Sequence, residues 1–252
     1  MKTGLKTRLR NGETLVGMFI MLPSAAVVEM VGYAGFDYVI LDGEHGAAGT
    51  ETLENQLRAA DAAGIPALVR ICGQTPAEIL HALDAGACGI VVPHVLNADQ
   101  ARALVEAAHY PPKGRRGIAT TTRAGRHGMV TLNEHLSIAE NEVLVIPQIE
   151  DADAVPHAAA IAGVDGVDGV FVGPADLSLS LGYPGNPAHP EVAAIIDQLA
   201  RDVRAAGKGT ATFTKTVDET RALEQRGYQM MCFSTTSVFS MRLQEMAKEL
   251  QV

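Results

Sequence analysis

The feature that most constrains this chain is a repeated alternation of short apolar runs with longer stretches of helical spacing. Such alternation is typical of successive β–α units, in which helices connect parallel strands. We interpret eight of the runs as strands, at residues 15–20, 38–41, 67–71, 89–92, 143–147, 169–172, 209–213 and 230–233. Eight units in 252 residues predict an α/β fold, a (β/α)8 TIM barrel that forms one domain over residues 1–252.

Helix candidates lie between the predicted strands, at residues 24–34, 51–63, 76–85 and 98–108. Several helices are followed by glycine before the next strand, as is common beyond a helix C-terminus, namely at Gly35, Gly64, Gly86 and Gly227. An open doubly wound sheet is the alternative with the same periodicity. The count of eight units favours the barrel over that sheet. A doubly wound nucleotide-binding protein is disfavoured, because the segment after the first run, Met21-Leu22-Pro23-Ser24, contains neither GxGxxG nor GxxxxGK[ST].

Composition narrows the class of protein. A formal net charge of −9 leaves no positive excess for neutralising phosphates, so we expect no nucleic-acid partner. The first residues contain no apolar stretch of the length of a signal peptide or a membrane span, so we expect a cytoplasmic protein with no membrane partner. Cys72, Cys88 and Cys232 lie in apolar contexts without a CxxC pair and are predicted to be buried free thiols.

Polar side chains occur where the predicted strands end, the face at which barrels of this class carry active sites. Five of them follow or end strands two to six in turn: His45, Arg70, His94, Glu150 and Asp176. The opposite ends of the same strands carry mostly glycine, alanine and proline. This asymmetry predicts a functional site at the C-terminal face of the barrel.

Glu150 and Asp176 end adjacent predicted strands, so their carboxylates are expected to meet and to repel each other unless a cation or a proton intervenes. Two carboxylates, with water and substrate oxygens, suit a divalent metal such as Mg²⁺, Mn²⁺ or Co²⁺. The alternative is that both are solvated loop acids.

Arg70 would direct an always-charged guanidinium at the barrel mouth, where it could hold an enolate or carboxylate oxygen, or else pair with a neighbouring acid. His45 could transfer a proton near neutral pH, or lie on the surface without a role. His94 is a second candidate for a base or a metal ligand.

The small residues of 172–178 predict a turn into a helix whose N–H groups could bind a carboxylate or a phosphate. The longest insertion, residues 110–141, has a length often found in lids.

Five motifs occur in order along nearly the whole chain: Leu41-Asp42-Gly43-Glu44-His45-Gly46, Gly86-Ala87-Cys88-Gly89-Ile90, Tyr110-Pro111-Pro112-Lys113-Gly114-Arg115-Arg116-Gly117, Gln148-Ile149-Glu150 and Val172-Gly173-Pro174-Ala175-Asp176-Leu177. Together they resemble the motifs of the HpcH/HpaI family of class II pyruvate aldolases. The resemblance implies that Glu150 and Asp176 hold the metal, that Arg70 steadies the oxo or enolate oxygen and that His45 takes part in proton transfer.

The resemblance further implies that Gln148 lies next to the metal ligands. It implies that the substrate carboxylate is bound by the segment formed by Gly173, Pro174, Ala175 and Asp176. Asp84 of a neighbouring subunit is implied to support the histidine, which would place each site at a subunit interface. The chain departs from the family in having no tryptophan near the first strand, which bears on the choice of aldehyde acceptor.

The resemblance also implies a homo-oligomer, commonly a hexamer built as a trimer of dimers, in which the last helix packs on a partner subunit. The residues alone favour a different interpretation of that helix. Its apolar side chains recur at helical spacing, a pattern more often found in core packing, at Phe239, Met241, Leu243, Met246 and Leu250.

The expected reaction is the reversible aldol cleavage of 4-hydroxy-2-oxo acids to pyruvate, or hydroxypyruvate, and an aldehyde through a metal-stabilised enolate. One alternative is a lyase of the citrate or malyl-CoA type, and another is a non-catalytic barrel that serves as a binding protein. A Schiff-base aldolase would need a buried lysine inside the barrel. Lys208 precedes the seventh predicted strand and Lys215 lies beyond it, so neither is predicted to be buried.

Overall fold

Eight parallel strands close into a barrel in chain order in the computed structural model, which describes residues 4–250. The strands are β1 Leu15–Ile20, β2 Tyr38–Asp42, β3 Ala67–Arg70, β4 Gly89–Val92, β5 Leu144–Ile149, β6 Gly169–Val172, β7 Gly209–Phe213 and β8 Met230–Ser234. β1 pairs in parallel with both β2 and β8, which closes the sheet. The predicted barrel is therefore confirmed, and the open sheet is wrong.

Helices alternate with the strands as predicted. They are α1 Leu5–Arg10, α2 Ala25–Tyr33, α3 Thr50–Ala63, α4 Pro76–Asp84, α5 Ala98–Ala108, α6 Leu132–Glu142, α7 Ala158–Ala162, α8 Pro174–Ser180, α9 Pro190–Ala205, α10 Val217–Gln225 and α11 Thr235–Leu250. The four glycines predicted to follow helices all have positive φ, between 66° and 99°. The backbone at these turns is therefore in the region that glycine adopts without strain.

The predicted fifth strand ends too early. The predicted run ends at Pro147, but pairing with β6 continues through Gln148, opposite Phe171, and Ile149, opposite Val172. Gln148 is 1% exposed, so its polar side chain is enclosed within the barrel. An enclosed amide at the C-terminal end of a strand is consistent with a functional site at the C-terminal face of the barrel.

Two apolar layers hold the fold together. One lies between the sheet and the surrounding helices, and the other fills the barrel interior. Leu5 and Leu9 of α1 join the interior layer from the end at which the strands begin, the N-terminal face. Lys6, between them, is 1% exposed and its Nζ lies 3.1 Å from Asp168 Oδ2, so the charge that α1 buries is paired.

The long insertion, residues 110–141, lies at the N-terminal face and is not a lid over the strand ends. Arg123 within it donates hydrogen bonds to the carbonyl oxygen of Ala85, the C-cap of α4, and to the carboxylate of Asp61, in the last turn of α3. The helix C-termini of a (β/α)8 barrel lie beside the strand N-termini, so these contacts fix the insertion to that face. Lengths of insertions do not indicate which face they cover, and the expectation of a lid was wrong.

Helix α11 projects its apolar side chains into solvent. The exposed fractions range from 43% to 71% for the side chains of Phe239, Met241, Leu243, Met246 and Leu250. The interpretation of this pattern as packing on the chain's own core is therefore wrong. Among residues 4–250, no helix has the length and apolar character needed to cross a membrane.

The predicted thiols are free, but their burial differs. Cys232 is buried, Cys88 is half-buried and Cys72 is exposed. Cys72 lies beyond the end of β3, where its Sγ is 3.0 Å from Glu78 Oε1. The prediction of burial is wrong for this residue, because the apolar Ile71 before it ends the buried segment.

Candidate active site

Arg70, the last residue of β3, is held at the C-terminal face by a buried ion pair with Asp42, the last residue of β2. Its Nε and Nη2 each lie 2.8 Å from one oxygen of the Asp42 carboxylate, and the two side chains are 4% and 0% exposed. The guanidinium also lies over the ring of Phe19, 4.6 Å from its centroid. Nη1 contacts Glu44 Oε2 at 3.0 Å. Three of the five N–H donors of Arg70 thus suffice for these carboxylates, leaving two for a ligand.

The loop after β2 is shaped by the same carboxylate. Asp42 Oδ1 accepts hydrogen bonds from the backbone N–H groups of Glu44 at 3.1 Å and His45 at 3.4 Å. A Cβ at Gly43 would lie 2.7 Å from the Arg70 carbonyl oxygen, so the loop passes close to β3. The His45 imidazole is 59% exposed, with Nε2 3.9 Å from Glu44 Oε2. His45 therefore stands at the mouth, accessible from outside.

Glu150 is an acid enclosed at the end of β5. It is 2% exposed, and burial raises the pKa of its carboxyl, with the nearby charge of Asp176 contributing in the same direction. Gln148 Nε2 donates to its Oε2. Gln148 Oε1 is buried without a hydrogen-bond partner among the described residues. A buried carboxylate beside an unpaired amide oxygen is an arrangement that lacks a positive partner.

Asp176 lies in the first turn of α8, which begins directly after β6. The N-cap residue, Gly173, has no side chain to cap this helix, and Pro174 has no N–H. Because the first N–H groups of a helix lack intrahelical partners, those of Ala175 and Asp176 are free to bind an anion. A Cβ at Gly173 would lie 2.8 Å from Glu150 Oε2, so the backbone approaches the buried carboxylate closely.

His94 joins the site from the end of β4. Its φ of 54° is rare for a residue with a side chain, and this conformation directs its backbone N–H to Glu150 Oε1 at 3.0 Å. The ring Nδ1 lies 2.9 Å from Asp151 Oδ2, and this hydrogen bond raises the pKa of the imidazole. Nε2 is 3.8 Å from Glu44 Oε1. His94 thus connects the acids of β2 with those of β5.

The enclosed oxygens at this face suit a divalent cation. Carboxylate and amide oxygens are hard ligands, and a positive ion would offset both the burial of the Glu150 charge and its repulsion by Asp176, which raise the pKa of Glu150. No group of three or more His, Cys, Asp and Glu side chains that could hold a metal ion occurs within residues 4–250. The two carboxylates are thus the candidate protein ligands.

The model of the HpcH/HpaI aldolase/citrate lyase family matches residues 15–239. This chain belongs to that family. A pyruvate aldolase of Rhizobium etli is 41% identical over 217 residues, which cover 86% of this chain and 84% of the relative. A 4-hydroxy-2-oxo-heptane-1,7-dioate aldolase of Salmonella typhimurium is 40% identical over 209 residues, 82% of this chain and 79% of the relative. The family membership predicted from the five motifs is confirmed.

The crystal structure of an HpcH/HpaI aldolase/citrate lyase family protein from Burkholderia cenocepacia has the same fold. It superposes with a TM-score of 0.92 at 33% identity, covering 98% of this chain and 99% of that chain. The relation therefore extends over the whole barrel as well as over the motifs.

One site residue implied by the family resemblance is not at this face. Asp84 is the last residue of α4, so it lies at the N-terminal face of the barrel, where its Oδ1 accepts from Arg116 Nη2 at 2.7 Å. His45 follows the C-terminal end of β2. A single subunit of this family member therefore does not bring Asp84 and His45 together.

Two residues that complete the arrangement had no role in the sequence-based prediction. Asp42 and Glu44 stand in the first motif, yet the pattern did not show that both contact Arg70. An acid as the last residue of an apolar strand was the available signal for Asp42. The left-handed backbone of His94 has no comparable signal, because only a few per cent of residues with a side chain adopt positive φ.

The lysines considered for Schiff-base chemistry are outside the site, as predicted. Lys208 Nζ donates to the Val167 carbonyl oxygen at 2.7 Å, just before β6 begins, at the N-terminal face. Lys215 is exposed. Neither amine is both buried and near Arg70. Lys208 and Lys215 are therefore not placed to act as a Schiff-base nucleophile.

Proposed function

We propose that the protein is a class II aldolase that reversibly cleaves 4-hydroxy-2-oxo acids to pyruvate, or hydroxypyruvate, and an aldehyde. Relatives at about 40% identity are named as a pyruvate aldolase and a 4-hydroxy-2-oxo-heptane-1,7-dioate aldolase. The observation that carries the proposal is the buried Glu150 carboxylate, which lies beside the unpaired Gln148 amide oxygen at the barrel mouth. These oxygens lie on the same barrel face as Arg70.

Glu150 and Asp176 would hold a divalent metal, with Mg²⁺, Mn²⁺ and Co²⁺ as the candidates. When bound, such an ion acts as a Lewis acid that polarises a carbonyl oxygen and makes a neighbouring C–H more acidic. Gln148 orients Glu150 through its hydrogen bond. The family of the chain supports this assignment. The enclosed oxygens of Glu150 and Gln148 support it as well. A third protein ligand is not required, because an ion such as Mg²⁺ keeps several waters and is often held by one or two carboxylates.

The chain's own residues would bind the 2-oxo acid at two points. The N–H groups at the start of α8, over Gly173 to Asp176, would bind its carboxylate. The two N–H donors of Arg70 that Asp42 and Glu44 do not use would bind the 2-oxo oxygen and stabilise the negative charge that develops on it when an enolate forms. Because Asp42 already fixes the guanidinium, little reorganisation is needed as that charge develops.

His45 would take the proton from C3 of the donor and return it during cleavage, since it is accessible at the mouth and histidine is suited to proton transfer near neutral pH. Asp84 of the partner subunit would support it. This requires a homo-oligomer, for which we propose a hexamer made as a trimer of dimers, with α11 packing on a partner. The exposed apolar side chains of α11 support that packing. A cytoplasmic location is part of the same proposal.

Exchange of the C3 protons of pyruvate in D₂O, followed by NMR, tests the enolisation step. We expect exchange with Mg²⁺ or Mn²⁺ and none with EDTA. Glu150→Ala should lower the rate at least about 100-fold, because a metal contributes several kcal/mol to stabilising developing charge and about 1.4 kcal/mol corresponds to a factor of ten. Calorimetric titration of Mn²⁺ should show weaker binding to the same variant.

The matched control is Asp153→Ala, which removes an exposed acid three residues further along the chain. It should exchange protons like the wild type. If neither pyruvate nor hydroxypyruvate exchanges with any of the metals, the aldolase proposal is wrong. Release of acetyl-CoA from a CoA thioester would then favour the citrate or malyl-CoA type of lyase, and no turnover of either class would favour a binding protein.

A further inference from the structure

A polar cluster at the N-terminal face surrounds Arg116, in the Tyr110–Gly117 motif to which the proposed function assigns no role. The Arg116 side chain is 2% exposed, and its Nη2 donates to Asp84 Oδ1 at 2.7 Å. The guanidinium lies over the Tyr110 ring, 4.7 Å from its centroid. A buried guanidinium is costly unless it is paired, so Asp84 is its principal compensation.

The position of Arg116 is fixed from several sides. Its backbone N–H donates to the His109 carbonyl oxygen at 3.0 Å, which holds the segment against the end of α5. The Tyr110 hydroxyl lies 2.8 Å from His135 Nε2, so the ring beneath the guanidinium is tied to α6. The backbone N–H of Ala124 donates to the Asp84 carbonyl oxygen at 3.0 Å. The insertion therefore holds both members of the ion pair.

The two oxygens of the Asp84 carboxylate differ in their contacts. Arg116 contacts Oδ1, and no hydrogen bond found within residues 4–250 involves Oδ2. The Asp84 side chain is 18% exposed, whereas that of Arg116 is almost fully buried. Because the fixed Arg116 guanidinium holds Oδ1, the position of Oδ2 is also defined, on a side chain that is partly exposed.

We propose that Arg116 is a positioning residue, which holds the free oxygen of Asp84 in place for His45 of the partner subunit. The inference rests on the proposed function, in which Asp84 supports the histidine across a subunit interface. Arg116 acts only through Asp84, because it lies at the face opposite the strand ends that carry Arg70 and Glu150. The long insertion therefore serves the neighbouring site and not its own.

Kinetics of C3 proton exchange test the role of Arg116 in variants of the holoenzyme. Arg116→Ala should lower kcat at least about 10-fold, but by no more than the 10²- to 10⁴-fold that general acid–base catalysis contributes, and leave KM for pyruvate unchanged. Arg116→Lys, which keeps the charge but not the planar fork, should recover part of the loss. The control is Arg115→Ala, since the Arg115 side chain is 84% exposed and should not affect kcat.

Mixed oligomers distinguish action on a partner from a structural effect. Arg116→Ala and His45→Ala chains carrying different tags are co-expressed and isolated by two affinity steps. Each His45→Ala chain supplies an intact Asp84 and Arg116, and each Arg116→Ala chain supplies an intact His45. In a randomly mixed symmetric oligomer, about a quarter of the sites should be complete, so activity should exceed that of either variant alone.

The same mixing with Asp84→Asn in place of Arg116→Ala tests the proposed function itself. If that mixture recovers activity and the Arg116→Ala mixture does not, Arg116 acts within its own subunit and the inference is overturned. If neither recovers, the support of His45 across the interface is wrong. Should Arg116→Ala fail to fold, Arg116→Lys replaces it in the mixture, and a wild-type kcat for that variant also overturns the inference.

Discussion

At Gly173 the backbone passes close to the candidate metal site. A Cβ there would lie 2.8 Å from Glu150 Oε2 and 3.1 Å from Gln148 Nε2. Its φ of −94° is open to any residue, so the requirement for glycine is steric and not conformational. The absence of a side chain therefore keeps the Glu150 carboxylate in the position that Gln148 also supports.

Gly173→Ala is expected to weaken Mn²⁺ binding and activity by about 10- to 100-fold, the range found when groups that orient metal ligands are changed. The added methyl would displace Glu150, whereas the helix that follows could still form. Calorimetry with Mn²⁺ measures the affinity, and circular dichroism checks the fold. Gly49→Ala is the control, because its φ is −79° and a Cβ there meets nothing within 4 Å. Equal affinities for the two variants would argue against the proposed ligand position of Glu150.

At this scale the sequence predicted which side chains reach the C-terminal face, because the strand ends could be located. Arg70, Glu150 and His45 stand where that prediction put them. The partners of these residues were harder to predict. The bidentate pair between Asp42 and Arg70 depends on the registry of β2 and β3, which no single-sequence pattern contains. The hydrogen bond from the backbone of His94 depends on a rare conformation.

The start of α4 is stabilised by an acid shared between two donors. Thr75 and Glu78 form a capping box, and the Cys72 thiol also donates to Glu78 Oε1 at 3.0 Å. The hydrogen bond from Cys72, and then that from Thr75, lower the pKa of the Glu78 carboxyl. The same contact is the main cause that raises the pKa of Cys72. Each partner is thus held in the protonation state that the hydrogen bond needs.

Stability should depend on pH through this contact. A carboxyl with a lowered pKa stabilises the fold above its unfolded pKa, and this is lost as the pH falls through the folded value. A thiol with a raised pKa stabilises the fold below its unfolded pKa, and this is lost as the pH rises through the folded value. Cys72→Ala should therefore lower the free energy of unfolding at neutral pH, and the difference from wild type should vanish in both acid and strong alkali.

The loss at neutral pH should stay under about 1 kcal/mol, because both side chains are accessible to solvent and the hydrogen bond is screened. Urea unfolding across the pH range measures it. Cys72→Ser is the matched control, since the hydroxyl keeps a donor for Glu78 and does not ionise in alkali. A pH-independent difference between Cys72→Ala and wild type would show that packing, and not the hydrogen bond, is responsible.

The bounds of the helices could be predicted more completely than the contacts that place the segments between them. The predicted helix at 98–108 matches α5, and the others agree within a residue at each end, because their caps are local. Ser24, included in the predicted second helix, is its N-cap and accepts from the Val27 N–H. The position of the long insertion could not be predicted, since it is fixed by contacts such as those of Arg123 with α3 and α4.

At the scale of the molecule, the apolar side chains of α11 remain 43% to 71% exposed within the described subunit. We expect Leu243→Glu to reduce the mass of the assembly measured by light scattering, because burying an unpaired carboxylate at an interface costs several kcal/mol. In the isolated subunit Leu243 is 62% exposed, so the barrel itself should remain folded by circular dichroism. Its activity should also fall, under our proposal that Asp84 of a neighbouring subunit supports His45.

Gln244→Glu is the control for that substitution, since it adds the same charge at the next position of the helix, where the side chain is also exposed. It should leave the mass unchanged. An unchanged mass for Leu243→Glu as well would mean that α11 does not pack on a partner at that residue.

The largest insertion of the chain lies on the face away from the strand ends, and this leaves the mouth of the isolated barrel open to bulk water. His45 and Asp176 are both exposed there. In the oligomer that we propose, discrimination between aldehydes falls to the surfaces that neighbouring subunits place over the mouth. Such an enzyme can change its substrate range through substitutions at subunit contacts, while the residues that perform the chemistry stay the same.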